Sequence, residues 1–449
     1  MVEGKQRSVS SKLTLIGGGI FVAGLAVVAF LYFSTRSTLT NRIQALQQAG
    51  MPTSGSELND FYMVPSEVPD TTQFWVAACN AVQARGFNEA TKGLPVLGVA
   101  DAIPPVGEEW PLQAKSVTAV ETTLAKELAI VRKAVAMGGL ARFPIDFRQG
   151  VKTSLNNTQQ MRSVARLLQL DAHVAARQGD SQRVIDDIRG VLTTSEALAV
   201  EPTLISQLIR LAIHNMAIIT AQELIPHCKC SDQQLLGLQQ HLMHADLRDG
   251  LRRGFMGERA IGIELVGGFA PGPFRAENQL IAMDFYEEAI ERAAAPGVDI
   301  KKWQEGQKQR IQALTQGTLS KFRFRGVLMA LPATAQAATA FVRSEASRRC
   351  LLLALAAQRQ RLRDGKYPTS LPDETLMGAE SSVTEDPFTG KPMLTKSDKA
   401  TLTYYSVGPD GMDDGGDVDA QDHNPSDIGF CVPKLADDES APAGSAVVK

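Results

Sequence analysis

The chain has 449 residues, room for two or three domains, and sets 46 Lys and Arg against 49 Asp and Glu for a net charge of −3. That balance excludes the broad basic footprint of a nucleic-acid-binding protein. Aromatic residues make up 6%, and the wealth of Ala, Leu, Gln and Arg favours packed helices over a large β-sandwich. Five cysteines, Cys79, Cys228, Cys230, Cys350 and Cys431, are odd in number and widely scattered, so they set up no disulfide framework. One bridge stays open to them in an oxidising compartment.

Residues 1–12 carry Lys5, Arg7 and Lys12. Residues 13–35 that follow are uncharged and apolar over a length that spans a bilayer as one helix. The positive-inside rule then leaves the N-terminus in the cytoplasm and places everything after Arg36 outside the inner membrane. A cleaved signal peptide is the rival reading, but its apolar core would be unusually long and no Ala-x-Ala site follows. Residues 36–111 read as an extension and connector. Leu39, Ile43 and Leu46 share one side of a helix that continues the span. Pro52 to Asp70 is a connector, Gln73 to Ala84 a short helix, and 94–111 a proline-rich stretch. Its apolar Val96, Leu97, Val99, Ile103 and Trp110 predict that it lies across the body.

Residues 112–343 form the predicted α-helical domain. Leu124, Leu128, Ile130, Val131 and Val135 make one broad apolar stripe. Thr158 to Arg177, a Gly179-Asp180 turn and Ser181 to Ala199 predict a helical hairpin, with Gly179 closing the first helix and Asp180 or Ser181 capping the second. The hairpin resembles a tetratricopeptide pair, without a further copy at the same period. Ser231-Asp232 caps another helix. Residues 344–432 read as a small α+β module that opens with a helix burying Leu351, Leu352, Leu355 and Leu362 and turning its arginines outward. Residues 433–449 are a flexible tail.

The end of this module carries the most specific pattern. Asp386-Pro387-Phe388-Thr389-Gly390-Lys391-Pro392 leads into Ser406-Val407-Gly408-Pro409-Asp410-Gly411. Six further aspartates follow: Asp413, Asp414, Asp417, Asp419, Asp422 and Asp427. No Lys or Arg stands between Lys399 and Lys434. Carboxylates crowded on a glycine-rich backbone repel, and solvent, disorder or a hard cation relieves that repulsion. Together with the preceding Gly365-Lys366-Tyr367-Pro368 after a helix and the closing Ser426-Asp427-Ile428, this segment resembles the globular domain of the major pseudopilins of type II secretion. The resemblance covers Ser344 to Val432. It implies a calcium loop with Asp410 and Asp417 as the leading ligands and Asp413, Asp414 and Asp419 as further ones. A solvated turn is the plain alternative. Thr14-Leu15-Ile16 is similar to the start of pilin-like proteins, but Lys12 and Gly17 stand where that family has its glycine and glutamate. As a whole the chain looks like single-span bacterial envelope proteins, a likeness that implies no activity.

Other candidates are weaker. His227, Cys228, Cys230, His241 and His244 offer zinc-type ligands, but Cys-x-Cys is tighter than the usual spacing. No nucleophile elbow, His-Glu-x-x-His or phosphate-binding glycine loop is present. The expectation is therefore a non-catalytic interaction or assembly protein of the bacterial cell envelope, secretion- or pilus-related, anchored in the inner membrane. Its partners would be other envelope proteins, without nucleic acid. The competing reading is an envelope enzyme whose site gathers dispersed groups such as His173, His214, His241 or His244 with carboxylates.

Overall fold

The computed structural model describes residues 29–30, 32–294, 300–330, 334–372, 381–418 and 427–434. All but the last few residues of the predicted span, with Asp419, Asp422 and residues 435–449 of the tail, lie outside the described residues. The fold is mainly helical with one small antiparallel sheet.

Helix α1, residues 32–48, takes in the last four residues of the predicted span. Its Leu39 is buried with Ile43 and Leu46 against Ile263 and Met283, the side that its apolar spacing predicts. Within the expected connector, α2 (Gly55–Phe61) forms because Ser54 accepts from the Glu57 backbone N–H at 3.3 Å while the Glu57 carboxylate takes the Thr53 N–H at 2.7 Å. Ser54 is thus the helix cap, while the Glu57 carboxylate reaches one residue further back than a capping box does. Then come α3 (Thr72–Gln83), α4 (Arg85–Thr91) and the proline-rich stretch. That stretch does lie on the body: Leu94 and Trp110 are buried, and the Arg177 guanidinium stacks 5.2 Å from the Trp110 ring centroid while donating to the Pro104 carbonyl at 2.5 Å. Val99 departs from expectation and is 85% exposed.

The helical body continues through α5 (Gln113–Thr118), α6 (Ala125–Met137), α7 (Asn156–Arg177) and α8 (Ser181–Glu196). Helices α7 and α8 form the predicted hairpin. Gly179 takes φ +75°, open to glycine at little cost, and the Asp180 carboxylate accepts the Arg183 N–H at 3.1 Å. Leu167, Leu168, Ile188 and Leu192 fill the interior between the helices. Leu168→Ala is expected to cost about 2–5 kcal/mol in denaturant unfolding, as a fully packed leucine does; a change near zero would place Leu168 outside the core.

Next are α9 (Leu204–Leu224), α10 (Asp232–Met243), α11 (Leu247–Phe269), α12 (Arg275–Ala294), α13 (Ile300–Leu314), α14 (Thr318–Arg323) and α15 (Arg325–Ala330). Helix α9 is long and apolar enough to cross a membrane, but it is largely buried in the body, so its composition is that of a core helix. Ser231 opens α10 with a full capping box to Gln234.

Helix α16 (Thr334–Asp364) runs unbroken from the helical body into the C-terminal module. Ala337, Ala338 and Phe341 pack against α11–α13, whereas Leu351 to Ala357 join the main core. Two details of this helix overturn the pattern read from sequence. Leu362 is 47% exposed, and Arg348, Arg349 and Arg359 are buried. Each buried guanidinium has a partner close by: Arg359 reaches Asp232 and Gln239 at 2.8 Å, while Arg348 and Arg349 clasp Glu345. Strands β1 (Leu394–Ser397), β2 (Thr401–Ser406) and β3 (Ile428–Pro433) pair antiparallel in that order, with Leu402 opposite Val432 and Tyr404 opposite Phe430. Those four side chains turn onto α16 and complete the same core as the helices. The module and the helical body thus share one interior.

Candidate functional site

The acidic loop leaves β2 at Val407 and returns at Asp427, with positions 419–426 outside the described residues. Its curl depends on glycine: Gly408, Gly411, Gly415 and Gly416 all have φ between +68° and +76°. A side chain at Gly416 would also collide with the Tyr405 ring, 3.0 Å from where its Cβ would stand. The Asp410 carboxylate accepts from the Met412 N–H at 3.1 Å, and its carbonyl receives Lys301 Nζ at 3.4 Å. Asp413 accepts from the Tyr405 hydroxyl at 3.2 Å and from the Gly415 N–H at 2.9 Å. Asp414 and Asp417 are exposed.

Two aspartates outside the favoured set organise the loop. Asp386, almost fully buried, takes the Ser406 hydroxyl at 2.9 Å, the Phe388 N–H at 2.8 Å and the Val407 N–H at 3.1 Å. The Asp-Pro-Phe-Thr-Gly turn therefore serves as a clamp on the end of β2. Asp427 is fully buried. One of its oxygens accepts the Gly416 N–H at 2.8 Å; the other, Oδ1, has no hydrogen-bond partner. Burial raises its carboxyl above the ordinary range, and the charges of Asp413 and Asp414 add to this, against the N–H groups of Gly416 and Asp414.

Among the described residues, no three carboxylate, imidazole or thiol groups gather tightly enough to hold a metal. The described loop thus presents donors of the right type for calcium, hard oxygens on a tightly curled backbone, without closing them on one point. The zinc-type set does not come together. His241 Nε2 lies 3.0 Å from a Glu196 oxygen, His244 Nδ1 lies 2.6 Å from the Gln240 carbonyl, and Cys228 and Cys230 are free thiols. The Cys230 thiol hydrogen-bonds Cys228, which lowers the Cys228 pKa and raises that of Cys230.

Two further ionisable clusters are buried in the body. Asp171 of α7 and Asp187 of α8 face each other, and Asp171 is closed by Arg132 on one oxygen and Arg183 on the other. Burial first, and then the Asp171 charge, drives the Asp187 carboxyl far above its usual range. Asp187 and His241 border a cleft of about 590 Å³ between α6 and α8. The second cluster joins α9 to α16. Glu345 accepts Arg348 Nε at 2.8 Å and Arg349 Nε at 2.7 Å, and the two arginines donate onward to the carbonyls of Leu242, Ser382 and Glu385. His214 is buried beside them with an unpartnered Nε2; burial, then Arg348 and Arg210, push its pKa down to about 3.

Compared with protein families, curated proteins and solved structures, the chain matches none of them. Fold and loop define a mainly helical protein whose long final helix crosses a three-stranded antiparallel sheet.

Proposed function

We propose that this chain is a membrane-anchored, extracytoplasmic, non-catalytic assembly or interaction protein of the bacterial cell envelope, related to secretion or pilus-like machinery. Residues 13–35 hold it in the inner membrane, the helical body with its tetratricopeptide-like hairpin offers surface to envelope proteins, and the pseudopilin-like module carries a calcium loop. The observation that supports this best is the unpartnered, fully buried Oδ1 of Asp427 at the foot of a glycine-curled loop. A carboxylate held by the Gly416 and Asp414 N–H groups while one oxygen goes without a hydrogen bond is costly, and a cation is a partner that an all-oxygen site accommodates. Asp410, Asp413, Asp414 and Asp417, with Asp419 beyond the described residues, would complete the shell.

A pull-down from detergent-solubilised membranes with the full-length chain tests this reading. Retention of named secretion- or pilus-type components with calcium present, and their loss with chelator, is expected. Recovery of none of them under either condition would contradict it. The α6–α8 cleft favours a second reading, an envelope enzyme using His241 with nearby carboxylates. Turnover of a model ester or glycoside that is lost on His241→Ala and kept on His244→Ala would favour it over the first.

A further inference from the structure

Helix α1 fixes the level of the membrane relative to the body. Arg42 pairs with Asp284 and Glu287 of α12, each at 2.5 Å, and Leu39 lies against Met283 with Ala276 and Leu280 alongside. Just beyond α1 the Pro52 carbonyl accepts from Arg259 at 3.5 Å and the Phe61 ring lies 5.4 Å from the Arg253 guanidinium, so the chain passes along α11 from Ile263 towards its N-terminal half. Helix α12 folds back along α11, with Gln279 donating to the Ile263 carbonyl at 2.9 Å, so α1 and α12 run in the same direction. Arg275, where α12 begins, lies some ten residues before that ion pair, ~16 Å back along the axis at ~1.5 Å per residue. The same distance along α1 reaches the level of Tyr32, inside the predicted span. Phe30 and Phe33 are 70% and 66% exposed there, with Tyr32 beside them.

At this same level the body presents an unusual face. Helix α14 is tied to the start of α12: Arg323 pairs with Glu277 at 2.5 Å and lies 5.2 Å over the Phe274 ring, and Asn278 donates to the Arg323 carbonyl at 2.8 Å. Leu319 of α14 is 81% exposed and Phe322 56%, and Phe269 at the end of α11 is 41% exposed. Segments 262–281 and 317–330 hold four cations, Arg275, Lys321, Arg323 and Arg325, against two carboxylates, Glu264 and Glu277. Glu277 is spent on Arg323, which leaves Arg275, Lys321 and Arg325 exposed. Apolar side chains rimmed by unneutralised cations are the composition that seats in an anionic headgroup layer.

We propose that this end of the body, α14 with the tip of the α11–α12 hairpin, lies on the bilayer beside the chain's own anchor, with Phe322 and Leu319 inserted among anionic headgroups. The proposal rests on the anchored reading of residues 13–35. The body is then held against the membrane at two points and keeps a fixed orientation, with its C-terminal module carried by α16.

The test uses the full-length chain reconstituted into phosphatidylcholine vesicles containing phosphatidylglycerol, with lipids brominated near the headgroup. Phe322→Trp and, independently, Leu319→Trp should each add emission that brominated lipid removes for the most part, whereas Val99→Trp should stay unquenched. Reversing charge with Lys321→Glu and Arg325→Glu should restore much of the Phe322→Trp emission. If both tryptophans stay bright in a chain that resists alkaline extraction, the anchor stands and the docking proposal falls. If alkaline washing strips the chain from the vesicles, the anchored reading itself has failed and the proposal with it. Bright tryptophans in vesicles that are shielded in native membranes would assign the face to a protein and overturn the lipid surface.

Discussion

Glu345→Ala is expected to destabilise the chain by about 3–5 kcal/mol, because it strands two buried guanidinium groups without their shared carboxylate. Arg348 and Arg349 are 5% and 3% exposed, so water cannot replace the lost partner. They also carry the joint between elements, since Arg348 donates to the Leu242 carbonyl of α10 and Arg349 to the carbonyls of Ser382 and Glu385 at the entrance to the sheet. The effect should therefore reach both halves. Denaturant unfolding followed by far-ultraviolet dichroism and by the fluorescence of the buried tryptophans should move together. Glu345→Gln, which keeps an acceptor and drops the charge, should fall between wild type and the alanine variant. A Glu345→Ala chain as stable as wild type would show that the arginines find other acceptors.

Acid is expected to weaken the fold through His214. Its folded pKa of about 3 lies below its ordinary value of 6.5. The unfolded chain takes up a proton as pH falls below 6.5 while the native state does not, so stability is full above 6.5 and drains away towards pH 3. At ~1.36 kcal/mol per unit the whole loss is ~5 kcal/mol. Glu201 acts in the opposite sense: burial raises its carboxyl to about 7 although Tyr62 donates to it at 2.5 Å, so its contribution grows on acidification from pH 7 towards 4.5. Comparison of His214→Gln with wild type separates the two, because Glu201 is common to both. The variant should lose less stability than wild type between pH 6.5 and 4. Parallel acid limbs would mean that His214 is protonated in the native state.

How much of this was legible follows from which forces are local. The α7–α8 hairpin could be read because Gly179 and Asp180 act through their own backbone, and the α1 contact because Leu39, Ile43 and Leu46 repeat with the helical period. The polarity of α16 could not. Arg348 and Arg359 look like solvent residues until Leu242, Asp232 and Gln239, more than a hundred positions earlier, are folded against them. The acidic loop was legible as a cluster, since charge and glycine content are properties of composition. That Asp427, and not its exposed neighbours, is the buried carboxylate required the pairing of β2 with β3, a non-local fact.

Calcium binding by that loop is the claim most directly open to measurement. The full-length chain in mild detergent should melt at a higher temperature in millimolar calcium than in chelator. A ligand at a hundred times its Kd adds about 2.7 kcal/mol to the folded state. Asp427→Asn and Asp410→Ala should each shrink or abolish the difference while leaving the melting temperature in chelator nearly unchanged or, for Asp427→Asn, raised as the buried repulsion with Asp413 and Asp414 is relieved. Superimposable wild-type melting curves with calcium and with chelator would contradict the calcium loop and leave a solvated turn in its place.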